Sequence, residues 1–174
     1  MLYRRAAPAP ARSTEAEHIQ QSTTLCEWIA MSSSGNETND AFWRFSLRLY
    51  AREGAAGLCL KLQDAHGCDV NVVLFALWTG LESGRLKATS AEKVVRFSRE
   101  WRVRAVQPLR DLRIDLKTGV ADVDAAPFRE QVKRLELAGE KLQQQTIAQW
   151  AETDGRAGVD AAAENLISCL KLSG

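Results

Sequence analysis

The chain has 174 residues, enough for one domain with a proper core, since folding at this size hides about two-thirds of the surface the unfolded chain exposes. Hydrophobic residues at 45% and charged residues at 26% exclude a wholly disordered chain, a membrane bundle and a disulfide scaffold. A formal net charge of +1 excludes steering by bulk charge, so an anionic partner would have to be met by a local patch.

Residues 1–38 are dominated by Ala, Pro, Arg, Ser, Thr and Gln, a composition that predicts a disordered arm. A short helix over 14–29 is the alternative for part of it, and the sequence leaves open whether Met1 or Met31 is the start. A single helical domain is expected over 39–172. Asn39 or Asp40 can cap its first helix, which carries Phe42, Trp43, Phe45, Leu49 and Tyr50. A second helix, with Leu58, Leu60 and Leu62, should end at Gly67, a residue suited to the left-handed conformation past a helix end.

Asp69 caps a third and central helix through Val70, Val73, Leu74, Leu77, Trp78 and Leu81; a strand over Val70 to Phe75 is the alternative, disfavoured because the helical spacing continues through Trp78, and the run is too short to cross a bilayer. After a loop at 82–87, Thr89 or Ser90 starts a long fourth helix reaching about Lys117, with a kink just before Leu109 because Pro108 removes a backbone donor. Pro127 opens a fifth helix whose heptad seam of Phe128, Val132, Leu135, Gly139 and Leu142 predicts antiparallel packing on its predecessor. Leu166, Ile167, Leu170 and Leu172 predict a terminal amphipathic helix after the breaks at Gly155 and Gly158. The expected fold is therefore all-α, a bundle of five or six helices with a disordered N-terminal arm.

Several stretches carry a resemblance. Phe42-Trp43-Arg44-Phe45-Ser46-Leu47 with Tyr50, Cys59 to Asp64, His66-Gly67, Asp69 to Phe75 and Trp78 are followed by Trp101, Val106 to Arg110, Arg113 and Leu116-Lys117. This pattern resembles an uncharacterised proteobacterial family, a domain of unknown function in small helical proteins, over about residues 41–145. The resemblance implies a bacterial protein and brings no activity, cofactor or catalytic residue with it.

Two constellations stand out. The first is the polar loop of Gln63, Asp64, His66, Asp69 and Asn71 between two apolar helices, in which Asp64 and His66 could act as an acid-base pair near the free amides of a helix start. The competing reading spends the same residues on capping and loop bonds, and it is preferred. The second is the segment 85–117, with ten basic residues against four acidic ones. Projected on a regular helix, Arg96, Arg99, Arg110, Arg113 and Lys117 share one flank; the preferred reading of it is a solvated face partly neutralised by Glu130, Glu136 and Glu140 of the next helix.

Cys59, His66, Cys68 and Asp69 lack zinc-module spacing, and no nucleophile elbow or phosphate-binding glycine loop occurs, so no metal, cofactor or catalytic residue is expected. Four scattered cysteines and the lack of a secretory leader predict reduced thiols in the cytoplasm. The biochemical function is not legible. The leading expectation is a non-enzymatic protein-interaction or adaptor module docking its basic helix on an acidic protein surface, with no membrane partner. The alternatives are a small-molecule binder or enzyme at the loop 63–71, and nucleic-acid binding through the basic stripe.

Overall fold

A computed structural model describes residues 40–67, 69–119 and 123–174, and within them all side chains but those of Leu60, Gln63, Asp64 and His66. The expected arm, its short helix, Met31 and the Asn39 cap lie outside the described residues. Helix α1 (Ala41–Tyr50) buries Phe42, Trp43, Ser46 and Leu47, one face at helical spacing. Asp40 does not cap it with its side chain, because both carboxylate oxygens are taken by the sixth helix: Gln145 Nε2 donates at 3.0 Å and Lys141 Nζ at 3.3 Å.

After a turn at Gly54, helix α2 (Ala55–His66) buries Cys59, while Leu58 faces outward, contrary to the expected leucine face. Gly67 follows with φ 62°, the left-handed terminator anticipated. Helix α3 (Val70–Glu82) is the central element: Val72 to Ala76 are all buried, together with Asn71, Thr79 and Gly80. Its cap is Asp69, whose Oδ1 accepts from the Asn71 amide at 2.8 Å. Phe75 meets Phe42 edge-on and Trp78 stacks on Phe42, with centroids 5.8 and 5.1 Å apart.

The expected loop at 82–87 holds a strand instead. β1 (Arg85–Leu86) pairs antiparallel with β2 (Thr153–Asp154), Arg85 opposite Asp154 and Leu86 opposite Thr153. Helix α4 (Ala88–Trp101) therefore starts straight from the strand at Lys87, and Ser90, expected as a cap, is buried inside it. The disturbance expected at Pro108 takes the form of a widened turn just upstream of it. The rod passes through a π-helical turn (Arg102–Val106) into α5 (Gln107–Asp115), the Gln107 amide donating to the Arg102 carbonyl five residues back. Proline has no N–H and its ring collides with the carbonyl four residues earlier, so a wider turn just upstream relieves both problems without a break.

Helix α6 (Ala126–Ala148) returns antiparallel to α5, its start tied by Asp124 Oδ1 to the Ala126 amide. It turns Val132, Glu136, Gln143, Gln144 and Ile147 inward, and it leaves Phe128, Leu135 and Leu142 exposed. Of the expected heptad seam, Val132 and Gly139 do face inward, the Gly139 carbonyl accepting from Trp101 Nε1 at 3.0 Å, whereas Phe128, Leu135 and Leu142 do not: α5 is held by charged pairs, and those pairs set the rotation of α6. Helix α7 (Val159–Ser173) buries Ala161, Ala162, Asn165 and Cys169 against α3, while Ile167 and Leu172 lie outside. Small residues win that contact because the backbones touch at Gly80.

Counting α4, the π-turn and α5 as one rod, the described residues form a six-helix all-α bundle, and none of its helices is long and apolar enough to cross a membrane. The core joins Phe42, Cys59, Phe75, Val94, Ile147 and Cys169.

Candidate functional site

The π-turn decides where the basic residues go. A π-turn accommodates one extra residue, which rotates everything downstream by about 100° relative to a regular helix. Arg96 and Arg99 therefore stay on the exposed flank of α4, while Arg110 and Arg113 swing toward α6. Arg110 donates from Nε to Glu136 Oε1 at 2.9 Å and from Nη2 to Glu140 Oε1 at 2.8 Å. Arg113 holds Glu136 with Nε and Nη2, and its carbonyl accepts from Arg129 Nε at 3.2 Å. Lys117 lies in the turn after α5, its amide on the Ile114 carbonyl at 2.9 Å. Glu130 sits 3.8 Å from Arg129 and Lys133 rather than on the stripe.

Burial of Glu136 opposes its charge, but the hydrogen bonds from Arg113 and Arg110 outweigh it and hold the carboxyl below its ordinary range. Glu140 has only one such partner. Burial dominates there, with Arg110 pulling down and Glu136 and Asp69 pushing up, and its pKa is raised to about 7. Burial also works against the charge of Arg110, yet Glu140 and Glu136 raise its pKa.

A groove of about 310 Å³ opens where the α2–α3 loop meets α4 and the π-turn. Val72, Val95 and Val103 give it apolar walls; Arg99, Arg102, Gln107 and Asp69 give it polar ones, and Ser173 closes one end. Arg99 Nη2 donates to the Ser173 carbonyl at 2.9 Å, tying the groove to the end of α7. A shallower groove of about 150 Å³ continues along α4 past Glu92, Arg96 and Leu172, sharing Val95 and Arg99 with the first. Arg96, Arg99 and Arg102, spaced by three, line this connected surface. Arg102 escaped the projection of a regular helix, although its spacing from Arg99 is visible in the sequence.

From the polar loop, the side chains of Gln63, Asp64 and His66 lie outside the described residues. Asp69 and Asn71 are committed to structure. Asp69 Oδ2 accepts from Gln143 Nε2 at 3.1 Å, Asn71 Nδ2 donates to Gln143 Oε1 at 2.9 Å, and Gln144 Nε2 donates to Asn71 Oδ1 at 2.7 Å. Ser46 Oγ completes the ladder by donating to Gln144 Oε1 at 3.0 Å. Burial raises the Asp69 pKa, opposed by the Gln143 and Asn71 bonds and by the nearby Arg102. Two adjacent glutamines on α6 thus orient the start of α3, a role that the sequence hides because glutamine usually marks solvent.

Among the described residues no group of His, Cys, Asp and Glu is arranged to hold a metal ion. No curated protein and no solved structure matches the chain. Residues 41–147 match the model of the family described as protein of unknown function (DUF2390), and since that match spans more than half of the sequence, the chain belongs to this family.

Proposed function

We propose that the protein is a non-enzymatic interaction module that takes an acidic, partly apolar segment of another protein along α4. The observation that carries this reading is the connected groove surface in which Arg96, Arg99 and Arg102 stand beside Val95 and Val103. Carboxylates of a bound segment would meet the guanidinium groups, and its apolar side chains would cover the valines. Nucleic acid has less support. Binding a duplex takes a row of phosphate contacts, and Arg110 and Arg113, which would have extended the row, spend their donors on Glu136 and Glu140. A ligand or enzyme site at the loop has less support as well, because Asp69 and Asn71 are both tied to Gln143.

The test is titration of a fluorescent peptide of alternating Glu and Leu into the full chain. Binding should weaken as salt rises and disappear in the double variant Arg99→Glu, Arg102→Glu. Arg104→Glu is the control, since Arg104 is paired with Glu100 at 3.0 Å outside the groove. Equal binding by the double variant removes the reading, and tighter binding of a DNA duplex than of the peptide replaces it.

A further inference from the structure

The α5–α6 hairpin is built as half of something. Helix α5 buries no residue of its own and packs chiefly on α6 and the π-turn. Its attachment to α6 is made by the pairs of Arg110 and Arg113 with Glu136 and Glu140, which leave the leucines of both helices to one side. With those pairs defining the facing sides, a helical projection puts Leu112 and Leu116 of α5 on the same flank as Phe128, Leu135 and Leu142 of α6. Four of these are strongly exposed: Leu112 at 40%, Phe128 at 53%, Leu135 at 58% and Leu142 at 51%. Together they show roughly 400 Å² of apolar surface, within the range where a patch on a single chain marks an interaction site.

The spacing identifies the kind of occupant. Phe128, Leu135 and Leu142 repeat every seven residues, the period of a helix packed along another helix at a shallow angle. The register identifies which helix. Arg113 lies level with Glu136, so in the antiparallel hairpin residue 112 lies level with 137, 115 with 134 and 116 with 133. A two-fold axis parallel to the hairpin preserves these levels and lays α5 of one copy antiparallel on α6 of the other, the neighbour relation of an up-and-down four-helix bundle. Leu112 of one copy then enters between Leu135 and Leu142 of the other, and Leu116 enters between Phe128 and Leu135.

Charge agrees with this arrangement. Asp115 and Arg134 are exposed, and neither side chain has an ion-pair or hydrogen-bond partner among the described residues. The two-fold puts Asp115 of each copy level with Arg134 of the other. We infer that the occupant of this face is a second copy of the chain, and that two α5–α6 hairpins join as a symmetric four-helix bundle. The surface is separate from the α4 groove, so the dimer and the groove reading stand or fall apart from each other. The apolar area is about half of what one partner in a standard interface buries, and the polar margins around Asp115 and Arg134 supply the remainder.

Sedimentation of the full chain over a concentration series reads the proposal directly. The expected mass at high concentration is twice 19.3 kDa, and Leu135→Glu should hold the chain at 19.3 kDa with an unchanged helical circular-dichroism melt, since the residue is exposed. Asp115→Arg and Arg134→Asp should each weaken the dimer about tenfold, and combining them should restore it. A chain that stays at 19.3 kDa at every concentration overturns the proposal and leaves the face to a helix of another protein. So does a dimer that survives Leu135→Glu, or a charge exchange that restores nothing.

Discussion

Arg113 grips Glu136 with two nitrogens, Nε on one carboxylate oxygen and Nη2 on the other, in a pair whose side chains are only 13% and 7% exposed. Arg110 bonds the same carboxylate, so one anion organises two cations between α5 and α6. Replacing Glu136 by Gln would leave two guanidinium groups facing one neutral amide and Glu140. The expected loss is about 3 kcal/mol, read by urea denaturation near neutral pH.

Glu140 predicts the pH response of the hairpin. Its folded pKa of about 7 lies above the ordinary 4.5, so between those values the folded chain holds a proton that the unfolded chain has released. Stability from this group is complete below pH 4.5 and is lost as pH rises through 7. Glu136, with its pKa lowered, behaves oppositely, contributing above the usual carboxylate range and failing only in acid. Glu140→Gln should therefore flatten the decline between pH 5 and 8, by on the order of 2 kcal/mol. Thermal melts of both proteins across that window check the sign.

Asn165 pins β1 to α7. Its Oδ1 accepts from the Leu86 amide at 2.7 Å, and its Nδ2 donates to the Gly84 carbonyl at 3.0 Å. Asn165→Ala strands both backbone groups in a buried place, at a cost of about 2 to 4 kcal/mol. Asn165→Asp should be no better, because the replacement loses the donor and brings an anion toward the Gly84 carbonyl. Denaturant midpoints of the two variants test this.

A Cβ on Gly80 would stand 2.2 Å from the Cα of Ala162, where only backbone is available to yield. Gly80→Ala should destabilise the chain by at least about 3 kcal/mol, although alanine is the better helix former. Gly57→Ala, inside α2 with nothing near its added carbon, should be neutral or stabilising by the same assay.

The central helix, the Asp69 cap and the Gly67 stop were legible in the sequence because each depends on neighbours within a few residues. The positions that failed depend on partners distant along the chain. Phe128, Leu135 and Leu142 carry a good heptad, yet Glu136 and Arg113 outbid it for the inward face of α6. Leu166 does pack against the core, but Ile167 and Leu172 lie outside, because Gly80 permits a contact so close that Ala161 and Ala162 fill the inner stripe of α7. The basic stripe was broken by a single extra residue in the π-turn. Pro108 signalled a disturbance there, but the sequence does not say that it takes the form of a widened turn. The Gln143–Gln144 ladder gave no signal at all, since its meaning lies in Asn71 and Ser46 on other helices.

The family match ends at residue 147, while α7 begins at Val159. Yet α7 roofs the central helix at Ala76 and Gly80 and supplies Asn165, so the boundary of the shared segment is not the boundary of a cooperative unit. A polypeptide trimmed to the shared segment would bare a greasy trench along α3, and it should come out of a cell as clumped material rather than as a minimal, refoldable domain.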